Sequence, residues 1–291
     1  MEPILVEVRR GSTIDAVHRV DAVAVRDGNI VEAAGDPELL TFLRSSAKPF
    51  QALPLAGARG DLDDRDLAIA SASHLARPDQ LAAVRALLDK APATEDELEC
   101  GPEPTPVEHN CSGKHAGFLA LCVARGWPKT GYRLADHPVQ QACLDVVAGA
   151  AEVGPDAIPT GIDGCGVVTY ALTLERMAHM FARLPGLKDG ARVAAAMRAH
   201  PDLIRAPGAP DTELMRTHDG WAAKGGAEGL LCASGPDGIG LALKVEDGGN
   251  RAVGPALAAF AGRLGVALPQ LAVASVENSR GERVGEVEAV S

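Results

Sequence analysis

Residues 20–35, VDAVAVRDGNIVEAAG, set Asp27-Gly28 between two short apolar runs. An Asp-Gly pair in that setting marks a two-residue hairpin, because both central residues of the favoured turn need positive φ. Two antiparallel strands are therefore expected first. Toward the other end GLLCASG and GIGLALKVED are joined by Pro236-Asp237-Gly238, and LAVASVENSRGERVGEVEAV gives one or two closing strands around Arg280-Gly281. Between these lie helical signals. FQALPLAGARG and DQLAAVRALLDKA read as helices, the second with Leu81, Val84 and Leu88 on one face. DLAIASASH reads as a buried strand or a short helix. SGKHAGFLALCVARGWP spaces Phe118, Cys122 and Arg125 helically before a stop at Gly126 and Pro128. DHPVQQACLDVVAGAA takes Asp136 as N-cap and Pro138 in the first turn, with Val139, Cys143 and Val146 facing inward. TLERMAHMFARL, ARVAAAMRAH and GPALAAFAGRLG are further helices. An antiparallel sheet drawn from both termini, with flanking and inserted helices, makes an α+β fold in a single domain over residues 1–291.

Composition narrows the function. A chain of 291 residues buries a substantial core, and no apolar run is long enough to span a bilayer. The opening MEPILVEVRR lacks the basic-then-apolar order of a signal peptide, so a cytoplasmic protein is expected. A net charge of -11 argues against nucleic acid and anionic membrane surfaces as partners and leaves a small molecule. The six cysteines are scattered singly, which favours buried thiols or metal ligands over a disulfide framework.

Two clusters carry chemistry. In RSSAKPFQALPL, residues 44–55, Ser45 and Lys48 are three apart and share a helix face, whereas Ser46 points elsewhere. Serine becomes a nucleophile only with a base, and lysine serves as one when burial or positive potential destabilises its ammonium. Pro49 is tolerated only in a first turn. The plain alternative is Ser46 as N-cap with Lys48 solvated, and Ser-x-x-Lys arises by chance about once in a chain this size. The second cluster, HNCSGKHAGF at residues 109–118, gathers His109, Cys111, Lys114 and His115 around a Ser-Gly turn. GIDGCGVV places Cys165 between glycines. Thiolate with imidazole at short spacing is zinc-like, and a buried thiol in a glycine-rich turn is the equal alternative. Cys122 and Cys143 sit on apolar helix faces; Cys100 and Cys232 carry no signal from spacing.

RSSAKPFQALPL, ASH, HNCSGKHAGFL, DGCGVV, KGGAEGLLC, GLALKVEDG and VENSRGERVGEV, in that order and nearly end to end, resemble the bacterial asparaginase II family, the Rhizobium inducible thermolabile type. The resemblance implies a fold like serine β-lactamases and penicillin-binding proteins, a homodimer, and hydrolysis of L-asparagine to L-aspartate and ammonia. It implies Ser45 and Lys48 as the first catalytic pair. Ser73 falls in the place of a second serine, with Ser71 close by, and Lys244 in that of its lysine. Lys224 is the rival, since Lys-Gly-Gly is similar to the Lys-Thr-Gly of β-lactamases; Lys244 is preferred because a strand fixes its direction. Zinc would be held by Cys111, Lys114 and Cys165, with Cys232 close to the site, and Arg44, His115, Asp163 and Gly164 would hold the substrate. The implied chemistry is acyl transfer: neutral Lys48 takes the Ser45 proton, the alkoxide attacks the amide carbon, and backbone N–H groups hold the oxyanion. Ser73 with Lys244 would relay protons. Two other classes compete, a zinc-water amidohydrolase or deaminase and a catalytically silent amino-acid-binding relative.

Overall fold

The computed structural model describes residues 1–290. The chain divides into two compact units. The first is made of Met1–Thr41, Thr173–Ala182 and the chain from Gly208 onward; the second, of Phe42–Leu172 and Arg183–Pro207, is inserted into it. Among the described residues no helix is long and apolar enough to cross a membrane.

In chain order the strands are β1 (Ile4–Arg10), β2 (Thr13–Arg26), β3 (Asn29–Ala34) and β4 (Leu40–Phe42), then β5 (Thr160–Ile162) and β6 (Val168–Thr173), then β7 (Ala222–Gly226), β8 (Leu230–Ser234), β9 (Ile239–Val245), β10 (Val273–Glu277) and β11 (Arg283–Val290). The first unit holds an eight-stranded sheet in the order β10-β11-β1-β2-β9-β8-β7, with β3 also paired to β2. Its ladders are antiparallel. Both termini thus supply central and edge strands of one sheet. Asp27 and Gly28 turn β2 into β3 with φ of 51° and 75°, the positive values that the hairpin requires. The sequence reading begins the sheet at β2, but β1 precedes it and sits between β2 and β11. Its period-two burial, with Ile4, Val6 and Val8 inward, is that of a strand with one face on the core.

β9 is buried along its whole length, which its continuous run Ile-Gly-Leu-Ala-Leu-Lys-Val permits. Helix Leu174–Arg183 packs so closely on it that a Cβ at Gly240 would lie 1.9 Å from the Ala178 carbonyl oxygen.

The inserted unit is mainly helical: Lys48–Gln51, Leu53–Ala58, Asp64–Ala70, Pro78–Lys90, Ser112–Arg125, Pro138–Ala151 and Gly190–Ala199. Helix Ser112–Arg125 is its axis, buried from Ser112 through Cys122. A helix that is apolar on every side belongs inside, with other elements wrapped around it. Gly113 allows its first turn to meet helix Asp64–Ala70, since a Cβ there would lie 2.2 Å from the Ile69 carbonyl oxygen. The cap of Pro138–Ala151 is His137, not Asp136: the residue before a proline is driven to extended backbone, and His137, at ψ 140°, accepts the Val139 N–H on its own ring.

Candidate active site

Arg44, Ser45, Lys48, Ser71, Ser73, Cys111, Lys114, His115, Asp163, Gly164 and Cys165 all belong to the inserted unit. Lys224, Cys232 and Lys244 belong to the first unit.

Ser45 sits in a 3₁₀ turn, Arg44–Ala47, that runs directly into helix Lys48–Gln51 with Pro49 in its first turn. The turn starts under strain, because Arg44 has φ of 46°, a region that non-glycine residues avoid at a cost of about 1–3 kcal/mol. Three contacts hold it there. The Arg44 N–H donates to Thr169 Oγ1 at 3.1 Å, its Nε donates to Asp163 Oδ1 at 2.8 Å, and the Leu43 N–H donates to the Tyr170 carbonyl on β6 at 2.8 Å. Asp163 Oδ1 also accepts the Gly164 N–H at 2.8 Å, so one carboxylate ties the cysteine-bearing turn to the serine-bearing turn.

Sequence spacing pairs Lys48 with Ser45, whereas in the folded chain the Lys48 amine donates to the Ala72 carbonyl at 2.6 Å and to Ser73 Oγ at 2.9 Å. The buried Ala72 carbonyl has to find a donor, and meeting it carries the amine to Ser73. The Ser45 hydroxyl, three residues away on the same face, makes no hydrogen bond among the described residues. Ser71 is set apart from Ser73 by its own bond, since its hydroxyl donates to the Leu67 carbonyl at 2.9 Å. Ser73 is held on both sides: its N–H donates to the Ile204 carbonyl at 2.8 Å, and Arg205 donates to its carbonyl at 2.9 Å. Lys48 is completely buried, and burial lowers its pKa despite the opposing pull of the Cys111 sulfur.

His74 was not singled out by sequence reasoning, although it stands next to Ser73 in SASH. It is buried, accepts the Ala76 N–H on Nδ1 at 3.1 Å, and therefore offers Nε2–H to Ser112 Oγ at 2.7 Å. Ser112 in turn donates to the Val107 carbonyl at 2.7 Å, which fixes the direction of the chain of bonds and the tautomer of the ring. Burial is the main cause that brings the His74 pKa down to about 4, and any charge on Lys48 acts in the same direction.

The sulfur cluster lies on the N-terminal turn of helix Ser112–Arg125. Cys111, Lys114 and Cys165 are all buried, and the Lys114 amine donates to Cys165 Sγ at 3.1 Å. The hydrogen bond from Cys165, against the cost of burial, pushes Cys111 well below an ordinary thiol, and the Lys48 and Lys114 charges add to this. Burial alone would lower Lys114, but the Cys165 and Cys111 sulfurs outweigh it and its pKa is raised. His109 serves the backbone, accepting the Cys111 N–H on Nδ1 at 3.0 Å. His115 Nδ1 shares a hydrogen bond with the Tyr132 hydroxyl at 2.8 Å, while its buried Nε2 has no partner among the described residues. Among the described residues no three His, Cys, Asp or Glu side chains gather as a metal site. What gathers instead is two thiols and an amine. That donor set fits a soft or borderline divalent ion such as zinc, provided the amine gives up its proton on binding.

In the first unit Lys224 on β7 lies opposite Cys232 on β8 and donates to the Gly225 carbonyl at 2.6 Å, with Asp211 Oδ2 at 3.9 Å. Lys244 on β9 lies opposite Asp21 on β2 and donates to the Val245 carbonyl.

The L-asparaginase II family model matches residues 6–289. The chain belongs to that family. No curated protein matches the sequence. Among solved structures, Mglu in its native form is similar at 13% identity over 79% of this chain, with a TM-score of 0.47. The chain spans 59% of the length of that protein. Mglu in its tris and glutamate form gives 13% identity, 79% of this chain, 55% of that one and a TM-score of 0.45. A "putative beta-lactamase from Bacteroides dorei DSM 17855" gives 12% identity, 84% of this chain, 93% of that one and a TM-score of 0.46. The α+β assignment rests on the chain's own topology, an antiparallel sheet with flanking helices and a helical insertion.

Proposed function

We propose that this asparaginase II family member hydrolyses the side-chain amide of L-asparagine to L-aspartate and ammonia through an ester on Ser45. The observation that carries the proposal is Lys48, a fully buried amine with a lowered pKa, one helical turn from Ser45 and 2.9 Å from Ser73 Oγ. With an N–H committed to the Ala72 carbonyl, the neutral amine keeps a lone pair for a hydroxyl proton. It takes the Ser45 proton as the oxygen attacks the amide carbon, and Ser73 passes that proton to the departing nitrogen. Ammonia leaves, water attacks the ester by the reverse relay, and L-aspartate is released. The Arg44–Asp163 pair offers opposite charges to the substrate's carboxylate and ammonium, with the Gly164 N–H on the same carboxylate, and we assign His115 to the same binding set.

For the second lysine we assign Lys224 over Lys244. Lys224 is the more deeply buried of the two, its amine donating to the Gly225 carbonyl with Asp211 Oδ2 at 3.9 Å, whereas Lys244 lies opposite Asp21 and lines a cleft of the first unit. Cys111, Lys114 and Cys165 would hold zinc, which would supply a fixed positive charge anchoring the loops and an anionic end of the substrate.

Ammonia release from L-asparagine by Ser45→Ala tests the reading. Activity should fall about 10³-fold or more with zinc content unchanged. Retained activity favours the zinc-water route. A second reading, Ser73 as nucleophile, is supported by its bond to Lys48; an ester trapped at low pH and mapped by mass spectrometry to Ser73 would establish it. Lys224→Ala should cost more turnover than Lys244→Ala.

A further inference from the structure

The first unit carries two buried, opposite charges that do not pair with each other. Asp21 and Lys244 are register partners on β2 and β9, so their side chains leave the same face of the sheet. They are 4% and 8% exposed. Buried charges facing each other in register are expected to form an ion pair, since otherwise each is desolvated without compensation. Here each is tied to backbone instead. Asp21 Oδ1 accepts the Asp36 N–H at 2.9 Å, and its Oδ2 has no partner among the described residues. The Lys244 amine, with three hydrogens to give, bonds the Val245 carbonyl. The carboxylate is also seated by the backbone: Gly35 has φ of 71°, and a Cβ there would lie 1.9 Å from Asp21 Oδ1. Burial destabilises both charged forms, raising the Asp21 pKa and lowering that of Lys244.

Both side chains line an open cleft of about 780 Å³. Its rim carries Asp36 and the exposed Arg19–Glu246 pair, and Pro3, Pro37, Leu39 and Leu40 form an apolar wall. A pocket with a few convergent polar groups and an apolar side is the usual form of a small-molecule site.

We propose that this cleft binds an α-amino acid with an apolar side chain, its ammonium on Asp21, its carboxylate on Lys244, and its side chain along the proline–leucine wall. A simple cation would compensate Asp21 and leave Lys244 desolvated, and a simple anion would do the reverse. A zwitterion with both charges on one carbon serves both. The site is non-covalent, and nothing in it depends on the reaction at Ser45.

Calorimetric titration of the intact protein with L-leucine and L-phenylalanine tests it. One binding event per chain is expected. Isoamylamine and 4-methylpentanoate, which keep the side chain of leucine and one charge each, should bind at least about tenfold more weakly. Asp21→Asn, which keeps the shape beside Gly35, should weaken L-leucine by a similar factor, and Lys244→Gln does the same should the first variant lose its cooperative unfolding transition. Turnover of L-asparagine by Asp21→Asn should remain. Absence of binding by both amino acids overturns the proposal, as does isoamylamine binding as tightly as L-leucine, or L-leucine binding unchanged in both variants.

Discussion

Lys48 and Lys114 are both fully buried, yet burial wins at one and loses at the other. Around Lys48 the neighbours are a carbonyl, a hydroxyl and the Cys111 sulfur, and desolvation outweighs the pull of that sulfur, so the neutral amine is favoured. Around Lys114 the Cys165 and Cys111 sulfurs outweigh the cost of burial, and the cation is favoured. Burial alone therefore does not set a lysine's protonation; what shares the buried space does. The same unit drives two buried lysines in opposite directions, one toward the neutral amine and one toward the cation.

That contrast is broken most severely by Lys48→Met. If Lys48 is the base, ammonia release should fall by about 10²–10⁴-fold while bound zinc stays the same. The wild-type kcat should rise with pH through the lowered pKa of Lys48 and then level off, because the acceptor is the neutral amine and its fraction grows as protons are lost. A kcat that is flat, or falls, over that range removes Lys48 from the role.

His74, with its ring bonded to Ser112 Oγ and to the Ala76 N–H, gives a stability effect with a definite sign. Its folded pKa of about 4 lies below the ordinary 6.5. The unfolded chain thus binds the proton first, and the stabilisation is complete above about pH 6.5 and lost as pH falls toward 4. The loss is roughly 3 kcal/mol, from 1.36 kcal/mol per pKa unit. Denaturant unfolding of wild type and His74→Gln at pH 7 and pH 4.5 checks it: the gap between the two proteins should narrow at the lower pH, and a constant gap contradicts the assignment.

Lys114→Met sharpens the other half. If Cys111, Lys114 and Cys165 hold zinc, it removes one donor and leaves two thiols, so zinc affinity, read by chelator competition, should drop about 10–100-fold, with a smaller loss of kcat than Lys48→Met produces. Equal losses of kcat in the two variants would erase the distinction between acceptor and holder.

How much of this was legible follows from the range of each interaction. The turns at Asp27-Gly28, Pro236-Asp237-Gly238 and Arg280-Gly281 could be read because hairpin chemistry is local, and the helices with clear periodicity followed. β6 escaped, since its apolar run Val168–Thr173 lies beside glycines that read as a site, and helix Pro210–Thr217 was hidden by its polar first turn. In the site, the three-residue spacing of Ser45 and Lys48 was local and visible. The Lys48–Ser73 and Lys114–Cys165 contacts join residues 25 and 51 apart, and no periodicity encodes them. Family blocks placed those residues in one region, but only the fold gave Lys48 its bond to Ser73.

The smallest effect concerns Arg44, whose strained φ and ion pair with Asp163 lie one residue from Ser45. Arg44→Lys keeps the charge and the strain but loses the Nε bond, because an ammonium cannot reproduce the planar guanidinium. Arg44→Gly relieves the strain and loses both charge and bond. If the pair holds substrate, KM should rise by about threefold in Arg44→Lys and by about tenfold in Arg44→Gly, with kcat less affected. If instead the strain positions Ser45, the glycine variant should lose kcat and the lysine variant should not. The two variants thus separate what the side chain holds from what the backbone stores.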